Sequence, residues 1–118
     1  MAQRKNLTMR AYKIFRAPEY EQLLRDGESA GSPVDLADGY IHLSTASQLA
    51  GTLTKHFAGE TGLRLLAVET ELLAPLKWEP SRGGDLFPHL YRVLRVADIV
   101  WTRDIGIGPD GHITGELE

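Results

Sequence analysis

The apolar residues of this chain change their spacing along its length, and this change is the strongest constraint on its fold. Helical spacing is confined to residues 17–26 and 46–58. The remaining apolar runs are short and rich in β-branched or aromatic residues, which is typical of strands. These runs lie at residues 10–15, 40–44, 63–70, 77–79, 90–96 and 99–105. Two early helices and strands concentrated late favour an α+β fold over a doubly wound parallel sheet.

The length of the chain predicts one domain. Its 118 residues fall within the usual domain size of roughly 100–150 residues. We expect this domain to span residues 10–118, with residues 1–9 as a loose N-terminal extension. Residues 28–39 are rich in glycine, small and acidic residues, so they are predicted to form a long surface loop.

The composition excludes several classes of function. The chain has no cysteine, which excludes disulfides, thiolate catalysis, cysteine-type zinc sites and iron–sulfur clusters. Its formal net charge is −3, so it lacks the basic excess of a general nucleic-acid or anionic-membrane binder. No apolar run approaches the roughly 18–20 residues of a membrane span, and no signal peptide is recognised. We therefore expect a cytoplasmic protein; its oligomeric state is left open.

The strand at residues 40–44 has one apolar and one polar face. Ile41 and Leu43 point to one side and belong to the core, whereas Tyr40, His42 and Ser44 point to the other. The polar face therefore carries a phenol, an imidazole and a hydroxyl in a row.

A helix begins directly after this strand. Thr45 and Gln48 match a capping box, and helix N-termini favour anionic groups such as phosphate. One interpretation is a ligand-binding face with His42 as a hydrogen-bond donor, completed by Ser44 and Thr45. The alternative is a half-buried strand with Ser44 and Thr45 only capping the helix. The pattern alone favours neither.

A second polar face is predicted at residues 87–91. In an extended segment, His89 and Tyr91 share one face. His42 and His89 are too few for a zinc site, which usually needs three or four protein ligands. The other two histidines, His56 and His112, have no metal-ligand spacing to them, so no metal site is predicted.

The third candidate stretch is residues 78–84. Adjacent glycines at its end let backbone amides approach an anion, and Arg82 is suited to clamp a phosphate. Glu79 is a candidate carboxylate for a ribose hydroxyl or a cation. The alternatives are a polar connection and a local ion pair between Arg82 and Glu79.

Two longer motifs carry a family resemblance. The run DGYIHLST at residues 38–45 and the run FPHLY at residues 87–91, with residues 12–14 and the Trp78-Glu79 pair, resemble a family of small bacterial proteins. This family is catalogued as domain of unknown function nine-five-two. The resemblance covers about residues 10–113.

The resemblance implies an ADP-ribosyltransferase-like fold, an α+β split sheet of mixed or antiparallel strands that holds NAD. Proteins of this fold often carry a histidine on an early strand, followed by a small or hydroxyl residue, and His42 matches that position. Tyr40 and Ser44 would line the same cleft. A late-strand glutamate is usually catalytic in those transferases that modify proteins, and Glu79 is the candidate by residue type.

The leading hypothesis is therefore a cleft for NAD or another ADP-ribose-like nucleotide, with ADP-ribosyl or phosphoryl transfer as the reaction. No cofactor is required, and NAD would be a substrate. His42 and Ser44 would contact the ribose, Arg82 a phosphate, and His89 with Tyr91 would form the opposite wall. The alternatives are a non-catalytic module for a small anion or a protein, and a metal-dependent hydrolase. The sequence alone leaves open whether the protein is an enzyme.

Overall fold

The structure is a computed structural model that describes residues 9–81 and 83–117. Within these residues it contains three α-helices, nine strands and two 3-10 turns. The helices are α1 (Ala17–Asp26), α2 (Pro33–Asp38) and α3 (Ala46–His56). The strands are β1 (Arg10–Arg16), β2 (Glu28–Ser29), β3 (Ile41–His42), β4 (Leu63–Glu69), β5 (Leu76–Pro80), β6 (Leu86–Leu90), β7 (Leu94–Arg95), β8 (Ile99–Gly108) and β9 (Gly111–Ile113).

The described strands form three antiparallel groups. The main sheet has the order β1-β4-β8-β9, and the two smaller sheets have the orders β3-β6-β5 and β2-β7. The helices are not interleaved with parallel strands as in a βαβ fold. The α+β prediction is therefore confirmed.

Both faces of the main sheet are apolar, as the continuous apolar run of β4 predicts. One face packs through Tyr12 and Leu65 against Leu49 and Leu53 of α3. The opposite face contributes a second cluster that also includes residues of α1, β3, β6 and β7. Lys13 lies on this second face between Ala11 and Phe15, and only 5% of it is exposed. A charged residue in the middle of an apolar strand therefore requires a buried partner.

The predicted loop at residues 28–39 is wrong, because this segment contains β2 and a third helix. Ser32 is the N-cap of α2 and Pro33 occupies its first turn. The backbone N–H of Ser32 donates to Asp35 Oδ2 at 2.9 Å, and Gly39 ends the helix in the left-handed region at φ 87°. These are standard start and stop signals of a helix. At six residues, α2 is too short to show helical periodicity.

Two predicted strands also differ from the structure. The prediction of one strand at residues 90–96 is wrong, since β6 ends at Leu90 and β7 consists of only two residues. The predicted strand at residues 40–44 is shortened to Ile41–His42. Its alternation is nevertheless visible, because Ile41 and Leu43 are 1% and 2% exposed.

Candidate functional site

The two histidines of the sequence motifs face each other across neighbouring strands. His42 of β3 pairs directly with His89 of β6 in the antiparallel register. Directly opposed residues project to the same side of a sheet, so the two imidazoles come together. Their ring centroids are 5.3 Å apart, and the rings meet edge to face at 69°.

Two tyrosines complete this arrangement, and we call Tyr40, His42, His89 and Tyr91 the imidazole–tyrosine cluster. The ring of Tyr40 stacks on His89 with a centroid distance of 4.2 Å. It also lies 4.7 Å from the ring of His42 and 5.1 Å from the ring of Tyr91. Tyr40 thus covers His89, which is 4% exposed, while the side chain of His42 is 35% exposed.

A buried carboxylate orients His42. Asp35, on the first turn of α2, accepts hydrogen bonds on Oδ1 from the ring Nδ1 of His42 at 2.6 Å and from its backbone N–H at 3.1 Å. Its Oδ2 accepts hydrogen bonds from Lys13 Nζ at 2.6 Å and from the backbone of Ser32. The Asp35 side chain is completely buried, so these four donors replace its hydration.

The charge state of Asp35 follows from these contacts. Burial alone would raise the pKa of Asp35, but the hydrogen bond from His42 and the charge and hydrogen bond of Lys13 together hold the pKa well below its ordinary value. Burial lowers the pKa of Lys13, and the attraction of Asp35 opposes this only in part. Asp35 is therefore an anion at neutral pH and acts only as a hydrogen-bond acceptor.

A second carboxylate on the exposed side approaches the other nitrogen of His42. Asp38 Oδ2 lies 3.0 Å from His42 Nε2, and the Asp38 side chain is 45% exposed. Asp38 is the last residue of α2 and directly precedes Gly39. The imidazole of His42 is therefore held between one buried and one exposed carboxylate.

His89 has its own carboxylate, supplied by β5. Glu79 Oε1 lies 2.7 Å from His89 Nδ1 and accepts a hydrogen bond of 2.7 Å from the hydroxyl of Tyr91. The hydrogen bonds from His89 and then Tyr91 lower the pKa of Glu79. The same hydrogen bond to Glu79 raises the pKa of Tyr91 to about 12. In both histidines of the cluster, the ring Nδ1 is therefore hydrogen-bonded to a carboxylate.

The pKa of Tyr91 tests the contact with Glu79. We expect Glu79→Gln to return the pKa of Tyr91 from about 12 towards the ordinary value of 10.0, because the neutral amide no longer disfavours a neighbouring phenolate. The measurement is a pH titration of the tyrosine ring carbons by NMR. Glu71→Gln, in the exposed segment before β5, is the matched control and should leave Tyr91 unchanged. An unchanged Tyr91 pKa in Glu79→Gln would contradict this geometry.

The remaining predicted ligand residues lie differently. The structure does not place Ser44 beside His42: its hydroxyl lies 2.8 Å from Thr52 Oγ1 on α3, and its backbone pairs with Tyr12. Thr45 is the N-cap of α3, and its backbone N–H donates to Gln48 Oε1 at 3.0 Å, the arrangement that the structural alternative predicts. Arg82 lies outside the described residues, so its predicted phosphate contact has no geometry here.

Three acidic or basic residues of the site were missed by the sequence analysis. They are Lys13, Asp35 and Asp38. A signal was present for two of them: Lys13 interrupts an apolar strand, and Asp35 stands at the third helical position after the Ser32-Pro33 start signal. No local signal connects Lys13 to Asp35, because the contact spans 22 residues of sequence.

The cluster lies partly at the surface, since the side chain of His42 is 35% exposed. Two surface concavities, of about 400 and about 260 Å³, are lined by other residues, including Arg64 in the first and Trp78 in the second. Among residues 9–81 and 83–117, no group of three or more histidine and acidic side chains is arranged to hold a metal ion. No helix in the same ranges is long and apolar enough to cross a membrane.

Comparison with known proteins assigns the chain to a family. The sequence profile described as "Protein of unknown function (DUF952)" matches residues 14–102. The chain belongs to the DUF952 family. The matched region contains the entire imidazole–tyrosine cluster and the carboxylates Asp35, Asp38 and Glu79. Lys13, the partner of Asp35, lies just before the matched region.

Solved structures of one bacterial protein are similar to this DUF952 protein. The X-ray crystal structure of protein CC0527 from Caulobacter crescentus is 48% identical, with a TM-score of 0.82 over 86% of this chain and 90% of that chain. The solution NMR structure of CC0527 is 47% identical, with a TM-score of 0.79 over 87% and 90% of the two chains. A search of the curated proteins finds no match to this chain.

Proposed function

We propose that this DUF952 protein is an ADP-ribosyltransferase-like enzyme that binds NAD, or another ADP-ribose-containing nucleotide, at the imidazole–tyrosine cluster. The observation that carries the proposal is the His42–His89 pair, in which two imidazoles 5.3 Å apart are each oriented by a carboxylate. Oriented imidazoles are suited both to bind ribose hydroxyls and to move protons during a transfer reaction.

The aromatic rings supply the second half of a nucleotide site. Tyr40 and Tyr91 lie beside the two imidazoles, and a heterocycle such as nicotinamide would stack on such rings. The ammonium group of Lys77 lies 4.9 Å from the centre of the Tyr91 ring, on the side of β5. It is a cationic group of the described site that would accompany the phosphates.

Glu79 supports chemistry at the ribose. It is ionised, and both of its hydrogen bonds end on Oε1, while no hydrogen bond to Oε2 occurs within the part of the chain that the structure describes. Cleavage of the nicotinamide–ribose bond develops positive charge at the ribose C1′ carbon. A carboxylate held in a fixed position stabilises such charge without reorganising. The partly exposed Asp38 adds negative charge, which suits the cationic nicotinamide end better than the phosphates.

Calorimetry with NAD and ADP-ribose tests the binding, and mass spectrometry of released nicotinamide tests the reaction. We expect heat from both ligands, and a loss of about 100- to 1,000-fold in the rate of nicotinamide release for Glu79→Gln with NAD still bound. Glu71→Gln should behave as the unchanged protein. Absence of heat and of any thermal shift at millimolar ligand would refute the proposal.

A non-catalytic module for a small anion or a protein is the second candidate. The exposure of His42 and Asp38, whose side chains are 35% and 45% exposed, favours it, because enzymes usually enclose their reacting atoms. Binding of ADP-ribose without any release of nicotinamide from NAD, in the unchanged protein as in Glu79→Gln, would identify this function.

A further inference from the structure

The position of one proton in the site is decided by Asp35. This carboxylate is anionic and has only acceptor atoms, so the His42 Nδ1 that lies 2.6 Å from it must carry a hydrogen. The backbone N–H of His42 donates to the same oxygen at 3.1 Å, which holds this oxygen beside the ring. In the neutral ring, the lone pair is therefore on Nε2.

The surroundings of Nε2 show that an oxygen atom fits there. Asp38 Oδ2 occupies this position at 3.0 Å, and because a carboxylate only accepts, Nε2 carries a hydrogen as long as Asp38 remains its partner. The two carboxylates differ in how firmly they are held: the Asp35 side chain is completely buried, whereas that of Asp38 is 45% exposed at the end of a six-residue helix. A ligand hydroxyl can therefore take the place of Asp38 while Asp35 keeps the ring in position, and once Asp38 has left, the neutral ring presents the lone pair of Nε2 to that hydroxyl.

We propose that Nε2 of His42 is the general base that accepts the proton of a hydroxyl acceptor, water or an alcohol, and that Asp35 is its positioning residue. This inference rests on the proposed function and names its acceptor. The bond between the nicotinamide nitrogen and C1′ breaks, and its electron pair neutralises the pyridinium ring. A bond forms between the acceptor oxygen and C1′, and the proton of the acceptor passes to Nε2.

The charges of the site argue against a phosphate acceptor. A phosphate dianion has no proton that must be removed before it attacks, so it gives His42 no role as a base. It would also meet the partly exposed carboxylates of Asp38 and Glu79. A neutral hydroxyl avoids this repulsion.

The tautomer of His42 is the first test, and it needs no substrate. Long-range proton–nitrogen NMR spectra of the unchanged protein, recorded where His42 is neutral and assigned with His42→Ala, should show a protonated Nδ1 and an unprotonated Nε2. Asp38→Asn should keep this tautomer, because the Asn side chain can donate to Nε2. Asp35→Asn should change it, and circular dichroism would establish that this variant is folded.

The acceptor is tested by trapping. The protein is incubated with NAD in buffer containing methanol or inorganic phosphate, and the products are identified by mass spectrometry. We expect ADP-ribose and its methyl glycoside, no phosphorylated product, and a loss of about 100- to 10,000-fold in His42→Ala with NAD still bound.

The two proposals fail in different ways. If NAD is cleaved but the neutral ring carries its proton on Nε2, or phosphate is trapped in preference to methanol, the general-base role is wrong and the proposed function stands. If neither NAD nor ADP-ribose binds, the proposed function is wrong and the acceptor assignment falls with it. Formation of the methyl glycoside, together with a protonated Nδ1 in the neutral ring, supports both the proposed function and the general-base role of His42.

Discussion

Replacement of Asp35 by alanine is expected to lower the free energy of unfolding by about 3–5 kcal/mol, the usual cost of removing one member of a buried ion pair. The variant leaves the ammonium group of Lys13, the ring of His42 and two backbone N–H groups without their acceptor. Total stabilities of about 5–15 kcal/mol are normal, so the variant would be close to unfolding. Urea denaturation followed by circular dichroism measures the change.

Asp38→Ala is the matched control for this prediction. Asp38 belongs to the same helix and contacts the same imidazole, but its side chain is 45% exposed. An exposed ion pair contributes at most about 1 kcal/mol, so we expect a loss below that value. Equal losses for the two variants would show that Asp35 does not act as a buried anchor.

The pH dependence of stability provides a further check on Asp35. Its pKa is lower in the folded protein than the value of about 3.9 in the unfolded chain, so its stabilising contribution is complete above that pH. The contribution is lost as the pH falls through the unfolded value towards the folded one. The stability difference between the unchanged protein and Asp35→Ala should therefore shrink on acidification below about pH 4.

The second large effect is expected for Gly31→Ala, which should destabilise the protein by about 2–5 kcal/mol. Gly31 has φ 109°, a region that side chains disfavour, and a methyl group built on it would come within 2.5 Å of Asp35 Cβ. Asp35 has no freedom to move away, because four hydrogen bonds hold it. Chemical denaturation gives the loss, and the NMR signals of His42 should shift in the same variant.

Gly39→Ala is the control that measures the cost of backbone strain without a steric clash. Gly39 has φ 87°, but a methyl group there would meet nothing within 4 Å. Its substitution should cost only the backbone strain, about 1–2 kcal/mol, and leave Asp35 in place. If the two alanine variants lose the same stability, the close approach between Gly31 and Asp35 does not matter.

Local sequence patterns predicted those elements whose structure depends on residues close together in the sequence. The alternation of Ile41 and His42 correctly separated a core face from a polar face, and the apolar run at residues 63–70 correctly indicated a strand. Helix α2 was missed because six residues show no periodicity, although Ser32 and Gly39 marked its ends.

The candidate site depended more on long-range contacts. His42 and His89 were both selected as polar-face residues, but their pairing lies in the strand register, which no local pattern specifies. The same holds for Lys13 and Asp35, which come from β1 and α2. Ser44 was assigned to the face of His42 because the strand was predicted to continue to residue 44. In the structure β3 ends at His42, and Ser44 pairs with Tyr12 instead.

The strand that carries His42 is only two residues long, which has a practical consequence for dissecting this protein. So short a ladder cannot hold an imidazole in place, and the support comes from β1 through Lys13 and from β6 through His89. A peptide or excised fragment meant to reproduce this chemistry must therefore include every segment from β1 to β6. Shorter pieces would contain His42 without the contacts that determine which of its ring nitrogens carries the proton.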